Sequence, residues 1–369
     1  MLFMSLLDSH PDILMIPGTN LLDYYSFWDR YGHLPLHELL EHFISHYAVI
    51  FDARKPHGLF GDENGEWLGL TSMGPNRDQV LTADSSKFRE FIHDLATISG
   101  RFSSRTFFAA VHIAYHLAIG RDIDTLDNKV IFFQAHNQDA QIAGRLTSDF
   151  PNSVFLHTVR NPVQSLFSHI KMYFELNKLT VDTLITCIEI MAFGGIPAIE
   201  EYRERCCAVR FEDIHMQPEK TMKAVSDWLG IKWHDNLLSS TFNGIQWWNV
   251  IKGPIVSGFN IEAMSRRHEE MLPPFDRYRF QVILRKKYLA WQYTCPNVIE
   301  LQHFGLLISQ PFLLEQFLPV DDDRLKLRKA LYNIWGTLNR NGTAEEVQLL
   351  DVDRRYSSAF SKNIRNTKI

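Results

Sequence analysis

The pattern of apolar and polar positions predicts helices and short strands in alternation. Apolar residues recur every three or four positions, as in helices with one buried face, through 36–47, 87–99, 103–119, 181–193, 197–205 and 219–229. Short, mainly apolar runs at 13–16, 130–133, 154–159 and 208–211 are typical of strands, and the run at 130–133 suits a strand buried on both faces. We therefore predict an α/β fold with a parallel sheet.

The remaining segments are interpreted as loops and a helical C-terminal third. Residues 20–31 are rich in aromatic side chains and are interpreted as irregular, and residues 53–84 lack sustained periodicity, as expected of a long surface loop beside a cleft. A Ser/Thr/Asn/Gly-rich loop occupies 239–260. Helical spacing then reappears near 262–272 and 276–292. We predict two regions, 1–260 containing the sheet and 261–369 forming a helical region packed on it.

Composition narrows the classes of function. The 369 residues carry a net charge of −5 with both signs mixed, so we expect no broad basic surface for nucleic acid, and any anion site must be local. The 4 cysteines and 16 histidines show no metal-ligand spacing, and we expect no metal. No stretch is apolar for long enough to predict a membrane span, and reduced thiols are expected in a cytoplasmic protein.

Residues 153–171 hold the pattern that points most directly to chemistry. A mainly apolar run ends at Arg160, Asn161-Pro162 favours a turn, and the helix that follows carries Ser168. The pattern predicts a cation at a strand end facing a helix N-terminus, where α/β proteins bind phosphate. The opposite, buried helix face is formed by Val163, Leu166, Phe167 and Ile170. The alternative for Arg160 is a surface or ion-pairing role.

In residue type and spacing, this stretch resembles the sulfotransferases that use 3′-phosphoadenosine 5′-phosphosulfate (PAPS). Their signature for the 3′-phosphate is an apolar strand, then Arg-Asn/Asp-Pro, then a serine eight residues after the arginine. Arg160, Asn161-Pro162 and Ser168 match it. The resemblance implies that Arg160 and Ser168 bind the 3′-phosphate of PAPS, the co-substrate, and that no metal is required.

Three further segments are similar to parts of the same family and occur in the same order. Residues 5–12 are similar to its first helix and the turn after it, and Phe-Pro-Asn-Ser at 150–153 to the turn before its phosphate strand. Arg-Phe-Glu-Asp-Ile at 210–214 is similar to its Arg-Tyr-Glu-Asp-Leu strand end. Over roughly residues 2–260, the resemblance implies a parallel-sheet, P-loop-like sulfotransferase fold, followed by a helical C-terminal extension.

The family's loop for the 5′-phosphosulfate lies between its first strand and first helix, which places it immediately before residues 2–9. We expect that the sequence is truncated at its N-terminus and that the working protein has this strand and loop upstream. The alternative is a non-catalytic member that binds a ligand without transferring sulfate. A third hypothesis, a P-loop kinase relative, is less favoured because the sequence shows no Walker-type lysine or magnesium ligand.

The resemblance also supplies a candidate base. His136 follows the predicted strand at 130–133 and precedes Arg160 by 24 residues, similar to the placement of the catalytic histidine in cytosolic members. A solvated turn histidine is the alternative. Trp247-Trp248 could stack on adenine or acceptor, or pack in the core. The implied acceptor is a hydroxyl or amine of a small molecule or carbohydrate, and the fold itself does not select among acceptors.

Overall fold

The computed structural model describes most of the chain as two compact units. The described residues are 1–56, 65–126, 128–134, 140–194, 205–249, 255–264, 272–295, 301–318, 320–340 and 348–353. Unit 1 comprises those within 1–153 and 217–260, with Val352 and Asp353, and unit 2 comprises those within 154–216 and 261–351. In the described part of the chain, no helix is both long and apolar enough to cross a membrane.

Unit 1 is mainly helical, with a parallel strand pair and a hairpin. Its α-helices are α1 (Leu2–Leu7), α2 (Tyr24–Tyr31), α3 (Leu36–His46), α4 (Ala48–Phe51), α5 (Ser85–Ser99), α6 (Ser104–Ala118), α7 (Ala140–Asp149) and α11 (Pro218–Leu229). Strand β1 (Ile13–Met15) pairs in parallel with β2 (Val130–Phe132), with Ile13 opposite Val130. The antiparallel hairpin consists of β5 (Thr241–Phe242) and β6 (Ile245–Gln246).

Two expectations for unit 1 are wrong. Residues 20–31 are not irregular throughout, because α2 buries Tyr24, Tyr25 and Phe27 in an aromatic core. The run at 130–133 is not buried on both faces: β1 is fully buried, whereas the three residues of β2 are half-buried. Helix α6 packs against β1, so in the described residues β2 is the less covered strand of the pair.

Asp8, at the end of α1, fixes the hairpin of unit 1. Its buried carboxylate accepts hydrogen bonds from the main-chain N–H groups of Asn243 and Gly244, both at 3.0 Å, and from Arg121 Nη2 at 2.9 Å. Asn243 and Gly244 both have positive φ, as an Asn-Gly hairpin turn requires. The turn and the first helix are therefore held by one buried charge.

Unit 2 contains the second parallel strand pair and the C-terminal helices. Its α-helices are α8 (Pro162–Glu175), α9 (Val181–Phe193), α10 (Phe211–Met216), α12 (Pro274–Ile283), α13 (Arg285–Ala290), α14 (Leu301–Ile308) and α15 (Asp321–Arg340). Strand β3 (Phe155–Val159) pairs in parallel with β4 (Cys206–Arg210). Leu166, Phe167, Leu184, Phe280 and Leu331 belong to a core shared by α8, α9, α12 and α15.

Several helices and strands of unit 2 begin or end at residues other than those predicted. The strand predicted at 208–211 is β4, which ends at Arg210, and the single helix predicted at 276–292 is divided into α12 and α13. Of the helix predicted at 262–272, residues 262–264 belong to a 3₁₀ turn at Ile261–Met264, and 265–271 lie outside the described residues. Residues 197–204 of the helix predicted at 197–205 lie outside them too. The fold is thus mixed helix and sheet, with small parallel sheets.

Buried histidines make the stability of the fold sensitive to acid. Burial lowers the pKa of His112 to about 4, and it is the main cause of the same lowering at His116 and His157, where Arg121 and Lys287 add positive charge. The unfolded chain, with an ordinary histidine pKa of 6.5, binds protons first as the pH falls.

We therefore expect the free energy of unfolding to decrease between pH 6.5 and 4, by about 3 kcal/mol for fully buried His112 alone. Urea midpoints measured across this range test the slope. The His112→Gln variant should have a shallower slope, while replacement of exposed His93 should leave it unchanged. Equal slopes for wild type and His112→Gln would contradict the contribution of His112 to the acid sensitivity.

Candidate functional site

The predicted phosphate site lies where β3 and β4 end in unit 2. The two strands are parallel and pair Val159 with Arg210, so Arg160 and Phe211 are the first residues beyond the same edge. This edge is the usual position of ligand sites in α/β folds. The predicted strand at 154–159 and the turn after it are confirmed in position, with β3 beginning at Phe155.

Asn161 and Pro162 convert the strand end into a helix start. The Asn161 side chain accepts a hydrogen bond from the main-chain N–H of Gln164 at 3.2 Å, capping α8, and Pro162 occupies the first helical position. Helix α8 begins at Pro162, two residues after Arg160, and has 14 residues. The N-terminus of a helix carries a partial positive charge, which here lies beside Arg160. The local sequence thus places a guanidinium and a helix N-terminus together.

Glu212 holds the main chain of this turn. Its Oε1 accepts a hydrogen bond from the Asn161 N–H at 3.2 Å. Arg210 is engaged in an ion pair, because its Nε and Nη2 both donate to the Asp213 carboxylate at 2.8 Å. The Arg-Phe-Glu-Asp sequence therefore contributes structure to the edge, and Arg160 supplies the guanidinium nearest the helix start.

Arg160 lies beside an aromatic ring and a histidine. Its guanidinium carbon is 5.8 Å from the centroid of Phe211, and the His215 ring meets the same phenyl ring edge-on at 4.3 Å. Burial lowers the pKa of His215 to about 4, with the charge of Arg160 as the second cause. Arg160 therefore places a permanent positive charge next to an imidazole that is neutral at physiological pH.

Ser168 lies on the flank of α8. It is six positions after Pro162, about 9 Å along the helix axis. Ser165, three residues before it, shares its side of the helix, and both serines are half-buried. An anion bound by Arg160 and Ser168 together would therefore lie along the first two turns of α8. The structure places both predicted residues in unit 2, with Arg160 in the turn after β3 and Ser168 on α8.

The other predicted residues are placed differently. His136 lies outside the described residues. The Trp pair of unit 1 is described: Trp247 is buried and donates its Nε1–H to the Leu68 carbonyl at 2.8 Å, and Trp248 donates to the Gly74 carbonyl at 2.7 Å. Both rings thus attach the 239–260 loop to the 53–84 segment. Of the two alternatives for the Trp pair, these contacts favour packing.

Sequence reasoning missed the residues that support the site from the C-terminal region. Tyr288 and Tyr293 donate hydrogen bonds to Asn161 and Glu212, from 127 and 81 residues further along the chain. No local pattern marks such distant partners. Among the described residues, no cluster of His, Cys, Asp or Glu is placed to hold a metal ion.

Comparison with known protein families gives one match, over part of the chain. The model of the sulfotransferase family matches residues 78–235, which include β3, Arg160, Ser168 and the Arg210–Asp213 pair. A solved structure, the "Sulfotransferase Domain from the Curacin Biosynthetic Pathway", is 15% identical, covers 84% of this chain and 93% of its own, and has a TM-score of 0.39. A search of curated proteins found no significant match. The family match supports the assignment of this chain to the sulfotransferase family.

Proposed function

We propose that this protein transfers a sulfuryl group from PAPS to a hydroxyl or amine of a small molecule or carbohydrate, and that Arg160 and Ser168 bind the 3′-phosphate. The observation that carries the proposal is the capped turn of residues 160–162, which lies at the common end of two parallel strands within the family match. The family match supports sulfuryl transfer as the reaction class. The capped turn supports PAPS as the donor, because it offers a position for the 3′-phosphate.

The residues at this edge suit a phosphate dianion. Arg160 presents a planar guanidinium that can donate two parallel hydrogen bonds to phosphate oxygens. Ser165 and Ser168 add hydroxyl donors along α8, and the helix start contributes its partial positive charge. These groups occupy half-buried positions, where charge-assisted hydrogen bonds are less weakened by water than at an exposed surface.

PAPS supplies an activated sulfuryl group, and transfer forms a bond between sulfur and the acceptor oxygen or nitrogen while the bond from sulfur to the 5′-phosphate oxygen breaks. The other product is adenosine 3′,5′-bisphosphate. The protein must orient the acceptor in line with that bond and accept its proton. We propose His136 as the base. Arg160 and Ser168 contribute orientation by fixing the end of the nucleotide that does not react.

The proposal is tested by ligand-induced stabilisation of the whole chain. Adenosine 3′,5′-bisphosphate should raise the Tm by about 5 °C at a concentration 100 times its Kd, because it binds only the folded state. Adenosine 5′-phosphate, which lacks the 3′-phosphate, should give a much smaller shift at the same concentration. Transfer is then measured with sulfur-labelled PAPS against a panel of hydroxyl and amine acceptors.

Two outcomes would overturn the proposal. If adenosine 3′,5′-bisphosphate and adenosine 5′-phosphate stabilise the chain equally, the 3′-phosphate is not recognised. A larger shift with ATP and Mg²⁺ than with the bisphosphate would indicate phosphoryl chemistry instead.

A further inference from the structure

Two tyrosine hydroxyls from the C-terminal region converge on the turn that carries Arg160. Tyr288, on α13, donates to Asn161 Oδ1 at 3.0 Å, and Tyr293, just after the same helix, donates to Glu212 Oε2 at 2.6 Å. All of these residues belong to unit 2. The turn is therefore contacted from a part of the chain that lies beyond the family match at 78–235.

The Tyr288 contact fixes the helix cap. Asn161 Oδ1 accepts one hydrogen bond from Gln164 N–H and a second from the Tyr288 hydroxyl. The second bond restricts rotation of the amide, and Tyr288 is almost fully buried, so its ring cannot swing away without opening the core. Asn161 directly follows Arg160, so a fixed Asn161 restricts movement of the main chain that carries the guanidinium.

The Tyr293 contact fixes the main chain of the same turn. Glu212 uses one carboxylate oxygen for the Asn161 N–H and the other for the Tyr293 hydroxyl. Burial, and then the charge of Glu212, raise the pKa of Tyr293, so the hydroxyl remains a donor throughout the physiological range. The Arg210 guanidinium lies 5.6 Å from the Tyr293 ring centroid and donates to the Gln292 carbonyl at 3.2 Å, which holds this segment beside Glu212.

We propose that Tyr288 and Tyr293 are positioning residues for the 3′-phosphate site, so that the C-terminal helical segment of unit 2 sets the nucleotide affinity of Arg160. The inference rests on the proposed function, since it assumes that the nucleotide binds at this turn. Neither tyrosine needs to touch the ligand. Tyr288 acts through a hydrogen bond to Asn161, the neighbour of Arg160 in sequence, and Tyr293 acts through Glu212, which accepts from the Asn161 N–H.

Tyr288→Phe and Tyr293→Phe remove one hydroxyl each and keep the ring. Isothermal titration of the full chain should show adenosine 3′,5′-bisphosphate binding weakened about three- to tenfold in each variant, since one supporting hydrogen bond is lost. Binding of adenosine 5′-phosphate, measured by competition, should change less than twofold. A general loss of structure would weaken both ligands alike, so the ratio of the two affinities isolates the positioning role.

Tyr173→Phe is the matched control, because Tyr173 lies on α8 towards its far end. It should leave the affinity ratio unchanged. If wild type binds the bisphosphate but the ratio is unchanged in both tyrosine variants, the positioning role is overturned and the proposed function stands. If wild type itself does not distinguish the two nucleotides, the proposed function fails, and the inference fails with it.

Discussion

The Arg279→Ala variant is expected to lose about 3–5 kcal/mol of the free energy of unfolding of unit 2. The Arg279 side chain is fully buried, and its Nη1 donates to the carbonyls of Leu307 at 3.0 Å and Gln310 at 2.7 Å. Its Nη2 donates to the Pro311 carbonyl at 2.8 Å and to the Asp276 carboxylate. Alanine removes all four hydrogen bonds and leaves a buried carboxylate without its cation.

The same side chain organises the aromatic packing around α12. The Arg279 guanidinium carbon lies 3.4 Å from the centroid of Phe312 and 4.5 Å from that of Phe275. The other Asp276 oxygen accepts a hydrogen bond from the Leu313 N–H at 2.7 Å. Asp276 and Arg279 therefore join α12 to the segment after α14, and the loss should extend beyond the ion pair itself.

Urea unfolding followed by circular dichroism measures the effect. Arg279→Lys should fall between wild type and Arg279→Ala, because an ammonium keeps the charge but cannot reach several carbonyls in one plane. Lys326→Ala is the control, since it breaks an exposed pair with Asp182, and its midpoint should stay close to that of wild type. Equal midpoints for Arg279→Ala and wild type would show that the buried pair does not hold α12 in place.

The sequence pattern predicted helices whose ends are determined by their own residues, and it missed a helix that depends on distant packing. Helix α11, expected at 219–229, is observed at Pro218–Leu229 and ends at Gly230, whose φ of 68° is the left-handed conformation that glycine favours at such ends. Helix α2 was missed because its start shows no side-chain cap: Asp23 makes no such hydrogen bond, and the helix is instead stabilised by burial of its aromatic face. Burial of that kind depends on neighbours that periodicity does not reveal.

The same limit applies to the site. Arg160, Asn161 and Ser168 fall within one short stretch whose turn, cap and helix follow from their own residue types. The role of His136 remains a prediction because that residue lies outside the described part of the chain. Tyr288 and Tyr293 reach the turn only through the packing of α13, so no window of local sequence contains the interaction.

Replacing Arg160 by alanine is expected to weaken binding of adenosine 3′,5′-bisphosphate by about 100-fold, equivalent to about 2.7 kcal/mol. The variant loses the guanidinium that pairs with the 3′-phosphate, while Asn161 still caps α8 and Glu212 still holds the turn. Arg160→Lys should weaken binding by about tenfold, because a point charge retains attraction but not two parallel hydrogen bonds. Neither variant should alter the weak binding of adenosine 5′-phosphate appreciably.

Lys171→Ala provides the control for charge alone. Lys171 is on the same helix, paired with Glu175 at 3.7 Å, and its removal lowers the positive charge of unit 2 by the same amount as Arg160→Ala. Titration calorimetry should give a Kd within twofold of wild type for this variant, since screening limits the influence of a distant exposed charge. If Lys171→Ala and Arg160→Ala weaken the bisphosphate equally, the effect is general electrostatic attraction, and Arg160 does not bind the 3′-phosphate directly.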